Sequence, residues 1–174
     1  ESLNSEWLSH TDNATLSSGD IDLMVRCWVK FESLSNTGIL ICKGTSVSDS
    51  DNLEYGLYAD ASNNIHFRVA KTLLGVATAT WSATVSTGVW YLVHGWHDSV
   101  NNLIGIAVNA GTAVTTSWLF GINDTAGEFR LGDDGSAGRY LDGLLDDVVY
   151  MKNYFLDDTE RTEDYNGGVG VAFA

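Results

Sequence analysis

The residue types best suited to chemistry in this chain are carboxylates, and three of them, Asp142, Asp146 and Asp147, lie close together near the C-terminal end. Retaining glycoside hydrolysis needs two carboxyl groups about 5 Å apart. Asp146 and Asp147 are adjacent, so on a regular strand they point to opposite faces, and no strand segment carries a suitably spaced pair. The sequence also has no Gly-x-Ser-x-Gly and neither phosphate-loop pattern. These absences predict a protein that is not an enzyme.

Sugar recognition is the second chemistry that the sequence favours, because aromatic and hydrogen-bonding side chains alternate with apolar ones in two segments. In the first, Ile65, Phe67 and Val69 are apolar and face inward; in the second, Val93 and Gly95 do so. The outward residues predict one shared glycan-binding face, formed by Tyr58, His66, Arg68, His94 and Trp96. Flat rings and planar donors suit a sugar ring. The alternative is a face covered by a loop or by a neighbouring subunit.

The elements that must position these side chains are short strands. Apolar or alternating segments occupy 2–9, 23–30, 39–43, 55–60, 65–70, 73–81, 88–97, 103–109, 114–120 and 128–132. Gly, Asn, Asp and Ser supply the turns between them, since Pro is absent. About a dozen short strands with regular turns predict an all-β fold, an antiparallel β-sandwich or jelly roll. With no linker or repeat in the sequence, we expect a single domain over residues 1–174.

The spacing of the apolar residues changes within the last predicted strand, which begins after Arg139. Its apolar residues alternate up to Leu145 and then resume at Val148, a step of three instead of two. One extra residue at Asp146–Asp147 explains this slip as a β-bulge.

A short acidic helix is predicted directly after this strand. Asp157 is its expected N-cap, and Glu160, three residues later, completes a capping box. The helix is expected to end at Asn166-Gly-Gly168, where glycine tolerates a left-handed cap.

This strand, bulge, helix and Asn-Gly-Gly stop resemble the closing motif of the laminin-G-like jelly rolls in the concanavalin A-like lectin/glucanase superfamily. Members of that family typically end in Asp-Gly-x-Ile-Asp-Glu-Val-x-x-Tyr, a short helix and Tyr-Asn-Gly-Gly. Earlier segments are similar to family strands in the same order, namely 25–30, 41–44, 55–58 with 65–69, 87–94 and 128–132. The resemblance covers nearly the whole chain and implies the fold, whereas function depends on the site.

The resemblance also implies a structural calcium ion, which some members hold near the bulged acid of the closing strand and the first strand. The matching positions are Asp146 or Asp147, with Glu6 or Asn4 as partners. Hard cations take carboxylate and carbonyl oxygens from loops. The alternative is that these acids are solvated, or that one of them caps the backbone of the bulge.

The charge balance limits the partners. Lys and Arg total 9 against 23 Asp and Glu, a formal net charge of −14, which disfavours nucleic acid and anionic membrane surfaces. No apolar run approaches the roughly 20 residues of a membrane helix, so we expect no membrane insertion. Cys27 and Cys42 would lie nearly opposite each other in a hairpin centred on Leu34–Ser35, either as a disulfide or as two free buried thiols.

We interpret the sequence as a recognition or adhesion module that binds glycan or a protein partner, extracellularly or on the surface of a cell or virion. The alternative is a structural component of a homo- or hetero-oligomeric assembly, such as a virion decoration or fibre protein. The tip Trp118–Phe120, unless it folds back onto the core, and the apolar tail 169–174 would suit such packing. A glycan-active enzyme is the third and least favoured interpretation. A chain that begins at Glu1 without Met is expected to be a processed form or an excised domain.

Overall fold

The computed structural model describes residues 6–82, 84–136 and 138–170. Within these ranges the chain forms eleven strands: β1 Leu8–His10, β2 Leu23–Phe31, β3 Gly38–Gly44, β4 Leu53–Ala59, β5 Ile65–Lys71, β6 Gly75–Trp81, β7 Trp90–Asp98, β8 Leu103–Val108, β9 Val114–Ser117, β10 Phe129–Leu131 and β11 Gly143–Lys152. One α-helix, α1 Asp158–Tyr165, then runs into a 3₁₀ turn at Asn166–Gly168. The predicted all-β fold with one short helix is confirmed. None of the helical residues described here forms a segment long and apolar enough to cross a membrane.

The strands form two antiparallel sheets that pack face to face. The six-stranded sheet has the order β1-β10-β3-β4-β5-β6, and the five-stranded sheet has the order β11-β2-β7-β8-β9. Strands that are neighbours in a sheet are therefore often distant in the sequence, which is the connectivity of a jelly roll. The predicted first strand over 2–9 is only partly testable, since residues 1–5 lie outside the described ranges and β1 begins at Leu8.

The core lies between the inner faces of the two sheets. Val25 and Val29 of β2 are fully buried there and belong to the same apolar cluster as Phe67 of β5. Gly95 of β7 faces Phe67, and a β-carbon at that position would lie 2.4 Å from the Phe67 ring. Glycine is therefore needed for the ring to reach across the sandwich. Burying one such apolar side chain contributes about 1.5–3 kcal/mol.

The closing strand β11 carries the predicted bulge. Its register with β2 pairs Asp146 with Trp28 and then Val149 with Arg26, so two residues of β11, Asp147 and Val148, lie opposite one residue of β2. One of them, Asp147, has a left-handed backbone with φ 48°. The bulge predicted from the step of the apolar residues is confirmed.

The helix α1 is capped as its sequence predicts. The Asp157 carboxylate accepts hydrogen bonds from the backbone N–H groups of Thr159 and Glu160, and the Glu160 side chain accepts one from the backbone of Asp157. Asn166 ends the helix in the left-handed region with φ 46°. Both signals are local, which is why the sequence alone defines this helix.

The two cysteines are free and buried. The hairpin predicted to bring Cys27 and Cys42 together is wrong, because β2 and β3 belong to different sheets. Cys27 faces the core between the sheets, whereas Cys42 packs with Ile39 and Val47 in a separate cluster. Burial raises the pKa of the Cys27 thiol to about 12, and it raises the pKa of the Cys42 thiol still more. Both thiols therefore remain protonated at neutral pH.

Candidate functional site

The five residues predicted to share a glycan-binding face lie on opposite outer faces of the sandwich. Tyr58 on β4 and His66 and Arg68 on β5 belong to the six-stranded sheet, whereas His94 and Trp96 on β7 belong to the five-stranded sheet. The prediction of one shared face is wrong. Alternation tells which residues point outward, but it does not tell which sheet a strand joins.

Trp96 is covered by the segment around α1 and is only 3% exposed. The Phe155 ring stacks on it at 6.3 Å between ring centroids, and the Arg161 guanidinium lies 4.3 Å from the centre of the Trp96 ring. On β8, a β-carbon at Gly105 would lie 2.1 Å from the same ring, so glycine makes the space that the indole fills. Trp96 therefore packs against the segment around α1, and its ring is not available to a ligand.

His94 is fully buried beneath the same cover. Its Nε2 atom lies 2.8 Å from Oδ2 of Asp164 on α1, and Nε of Arg26 lies 3.1 Å from the same oxygen. Burial lowers the pKa of His94 more than the hydrogen bond to Asp164 raises it, so the imidazole is neutral at neutral pH. The predicted binding role of His94 therefore has no accessible surface on which to act.

The remaining three predicted residues stay together on the outer face of the six-stranded sheet. The rings of Tyr58 and His66 stack with centroids 4.8 Å apart at an interplanar angle of 23°. Both ring nitrogens of His66 are engaged, Nε2 at 2.9 Å from Oδ2 of Asp60 and Nδ1 at 2.9 Å from Oγ1 of Thr80. The imidazole is thus held in one orientation from two sides.

Asp60 begins the turn between β4 and β5 and is fixed by it. Its Oδ1 accepts hydrogen bonds from the backbone N–H groups of Ser62 and Asn64, and its Oδ2 accepts one from the Asn64 amide. Burial opposes ionisation of this carboxyl, but the hydrogen bonds from Asn64, His66 and Ser62 outweigh it and lower the Asp60 pKa to about 2. The sequence analysis missed Asp60, although the Asp-x-x-x-Asn turn beside Tyr58 was a usable signal. It also missed Thr80, whose place opposite His66 depends on the register of β5 with β6.

Arg68 brings positive charge to this face. Its Nη1 donates to the carbonyl of Val47 at 2.9 Å, while its buried Nε finds no hydrogen-bond partner among the described residues. Burial raises the pKa of the Tyr58 phenol, and the nearby Arg68 and Arg139 guanidinium groups partly oppose this effect. A guanidinium whose Nε is unpaired among the described residues therefore lies beside the ring pair. We call Tyr58, Asp60, His66, Arg68 and Thr80 the ring-pair site.

The acids of the closing bulge make contacts with other groups of the chain. Asp147 Oδ2 lies 2.9 Å from Nη1 of Arg26, and Asp146 Oδ1 accepts the backbone N–H of Asp147 at 2.8 Å, as a cap of the bulge. Glu6 lines a cleft with both acids, and Asn4 lies outside the described residues. In the ranges described, no group of three or more His, Cys, Asp or Glu side chains could hold a metal ion. Because a guanidinium already occupies Asp147, the residues present do not fit calcium.

The apolar tip at 118–120 is divided between core and solvent. Trp118 is only 5% exposed and belongs to the core cluster, so the interpretation that the tip folds back is correct for this residue. Phe120 packs edge-on against Trp118 with ring centroids 5.2 Å apart. Leu119 remains 73% exposed. The strand predicted to reach Phe120 ends at Ser117.

Two antiparallel sheets, closed by a bulged strand and a short helix, define a jelly roll of the concanavalin A type. The chain belongs to the concanavalin A-like lectin/glucanase superfamily, because the laminin G model of that family matches residues 4–156. Comparison with curated proteins gives no match.

Solved structures with the same fold include a sialidase CBM40 domain, a pentraxin and a pair of laminin domains. The CBM40 domain of the Ruminococcus gnavus IT-sialidase, bound to alpha2,3 sialyllactose, is 16% identical with a TM-score of 0.67, over 86% of this chain and 84% of that one. The heptameric SAP-like pentraxin of Limulus polyphemus is 15% identical with a TM-score of 0.62, over 90% and 73%. Domains LG4-5 of the mouse laminin alpha1 chain are 15% identical with a TM-score of 0.60, over 82% and 38%. At these identities the likeness is one of fold.

Proposed function

We propose that this chain is a non-catalytic glycan-binding module that acts outside the cell or on the surface of a cell or virion. Membership of a superfamily that contains lectins supports this proposal, as does the likeness to a carbohydrate-bound domain. The observation that carries it is the ring-pair site, in which the His66 ring stacks on Tyr58 and is held at both nitrogens.

The chemistry of the ring-pair site matches that of a sugar. The rings of Tyr58 and His66 offer apolar surface to the C–H groups of a pyranose. The ionised Asp60 carboxylate accepts hydrogen bonds from hydroxyl groups, and the Arg68 guanidinium donates to hydroxyl or carboxylate oxygens. Because Asp60 and Thr80 already fix His66, binding does not need to order these side chains.

A glycan array followed by calorimetry tests the proposal. His66→Ala removes half of the ring pair, and Arg68→Met removes the donors while keeping the stem of the side chain. Each variant is expected to weaken binding by about tenfold or more, since interface anchors cost 2 kcal/mol or more when truncated. The matched control is His10→Ala, because His10 is exposed on β1 and its side chain is hydrogen-bonded to the adjacent carbonyl of Thr11.

Two results would reject the proposal. If no glycan on a broad array binds the wild-type protein, the function is wrong. If folded His66→Ala and Arg68→Met proteins both bind like the wild type, the ring-pair site is not the binding site. Thermal melts of all variants establish that the comparison is made between folded proteins.

A structural role in an assembly is the second candidate, favoured by two exposed apolar turns. Leu73, in the turn between β5 and β6, is 94% exposed and has a left-handed φ of 64°, a costly conformation for a branched residue. The segment after Leu119 is tied to this turn, because Asn123 Oδ1 accepts the Thr72 N–H at 2.8 Å. If these turns hold an oligomer together, Leu73→Asn should dissociate it in light scattering, whereas an unchanged mass would reject this role.

A further inference from the structure

A cleft with a volume of about 490 Å³ opens at one side of the sandwich and is separate from the ring-pair site. It lies between β1, the edge of the six-stranded sheet, and β11, the edge of the five-stranded sheet. We call it the edge cleft. Its volume falls within the range of sites that enclose several side chains of a ligand.

The walls of the edge cleft leave large apolar side chains in water. Trp7 is 49% exposed, Leu8 is 70% exposed and Leu144 is 45% exposed, and all three line the cleft. The Trp7 ring is itself supported by Tyr140, with centroids 6.5 Å apart. Contiguous exposed apolar surface with a polar rim is typical of an interaction site.

The rim of the edge cleft is acidic. Glu6, Asp146 and Asp147 line it, and no Lys or Arg is among its lining residues in the described ranges. Arg26, on the neighbouring strand β2, neutralises the charge of Asp147 by pairing with its carboxylate. The carboxylates of Glu6 and Asp146 face the solvent. In a chain with a net charge of −14, a basic occupant is electrostatically complementary to this rim.

The backbone of β11 is the third feature of the cleft, after its apolar walls and its acidic rim. β11 pairs with β2 on one side, and its other side faces the cleft. No strand of the described ranges pairs with β11 on its cleft side, and the run Gly143–Asp146 precedes the bulge, so its N–H and C=O groups on that side are regularly spaced. An extended peptide can add to such an edge through main-chain hydrogen bonds, and the bulge sets the point where the added ladder ends.

We propose that the edge cleft binds an extended peptide segment in which apolar side chains alternate with lysine or arginine. The apolar residues enter the pocket beside Trp7, on the Leu145 face of β11. The basic residues lie on the opposite face of the added strand and pair with Asp146 and with Glu6 of the rim. The edge of β11, the leucine side chains of the walls and the acidic rim together favour a basic peptide with apolar side chains.

Fluorescence anisotropy on the full chain tests this with three labelled peptides: Lys-Leu-Lys-Leu-Lys, Glu-Leu-Glu-Leu-Glu and Lys-Ser-Lys-Ser-Lys, each acetylated and amidated. The first is expected to bind about tenfold tighter than either of the others. The serine peptide reports non-specific attraction to an acidic protein, and this part of the binding should weaken steeply with added salt. Equal binding of the first and third peptides, or no binding of the first, would overturn the proposal.

Variants then locate the site. Trp7→Ala and Glu6→Lys are each expected to weaken binding of the first peptide about fivefold or more. Matched controls are Trp90→Ala, which removes a 37% exposed ring on β7 outside the cleft, and Glu163→Lys, which makes the same charge change on the exposed side of α1. The controls are expected to bind like the wild type. If both cleft variants do so as well, the peptide binds elsewhere and the proposal fails.

Discussion

The Nε2 atom of His94 lies 2.8 Å from Oδ2 of Asp164, and this contact joins the middle of the five-stranded sheet to α1. Arg26 approaches the same oxygen within 3.1 Å from the neighbouring strand. The helix therefore covers a sheet face that alternation assigns to solvent. His94 and Trp96, which alternation on β7 assigns to the outer face, are therefore buried. Their burial affects the stability of the protein and the pH dependence of that stability.

Trp96→Ala is expected to destabilise the protein by about 3–5 kcal/mol, because it removes a buried ring packed against Phe155 and Arg161. Trp90→Ala is the matched control on the same strand. The Trp90 ring is 37% exposed and has Lys30 above it at 5.5 Å, a contact worth about 0.5–1 kcal/mol. Guanidinium denaturation of both variants makes the comparison, and equal losses would mean that α1 does not cover Trp96 in solution.

Stability is expected to fall between about pH 7 and pH 5 because of His94. Burial lowers the pKa of this imidazole below its ordinary value of 6.5, so the unfolded state binds its proton first as the pH falls. Stability therefore rises with pH across this window and is lost below the ordinary pKa. Protonation in the folded state would place a new cation beside Arg26 and Arg161.

His94→Gln isolates this contribution. Glutamine retains a donor toward Asp164 but does not titrate. Denaturant melts at both pH values should show a smaller acid loss in the variant than in the wild type. The lowered pKa of about 2 at Asp60 places its own loss of stability below about pH 4, outside this window. An identical pH dependence in the two proteins would contradict the prediction.

Lys43→Met is expected to cost about 3–5 kcal/mol, the usual penalty for breaking a buried ion pair. Lys43 is fully buried on β3, and its Nζ lies 2.8 Å from both Glu54 and Asp12 and donates to the carbonyls of Thr125 and Gly127. Burial raises the pKa of the Glu54 carboxyl, and without Lys43 that carboxylate has lost its cation.

The double variant with Glu54→Gln separates the charge from the packing. If the loss comes from a stranded carboxylate, the double variant should be more stable than Lys43→Met alone in urea denaturation. A double variant that is less stable than the single one would show that Glu54 contributes through its other hydrogen bonds, such as the one from the Thr125 N–H at 2.9 Å.

The features that the sequence predicts correctly are local ones. The bulge follows from the step between Leu145 and Val148, and the capping box follows from Asp157 and Glu160, because each depends on residues within one turn or one strand. The wrong predictions concern partners far apart in the chain. Long-range packing decides whether β2 turns back to β3 or pairs with β7. The alternation of apolar and polar residues along a strand does not indicate its partner strand.

The predictions for the candidate site show the same contrast between local and long-range features. Tyr58 and His66 are correctly placed as neighbours, because the short turn between β4 and β5 sets their register. His94 is misplaced, because its cover comes from Asp164, which is 70 residues away in the sequence. The sequence of α1 does not show which sheet face the helix covers, because its buried residues are Arg161 and Asp164 and it has no apolar stripe.

Calcium removal is the last prediction, and the structure changes the outcome expected from family resemblance. Chelation is expected to leave the melting temperature unchanged. The Arg26 guanidinium already pairs with Oδ2 of Asp147 at 2.9 Å, and the described residues hold no group of three or more His, Cys, Asp or Glu side chains that could bind a metal ion. A bound ion would stabilise the folded state by RT ln(1 + [L]/Kd), about 2.7 kcal/mol at a hundredfold excess over Kd, which a thermal melt detects easily.

The measurement is a pair of melts, with EDTA and with added calcium, on protein whose metal content is known from elemental analysis. Asp147→Asn serves as a second test. Because Asp147 pairs with Arg26, the variant should lose stability equally in both buffers, since the missing interaction is an ion pair and not a metal ligand. A melting temperature that falls in EDTA for the wild type, and no longer does so for Asp147→Asn, would establish calcium at the bulge and reject the assignment of this carboxylate to Arg26 alone.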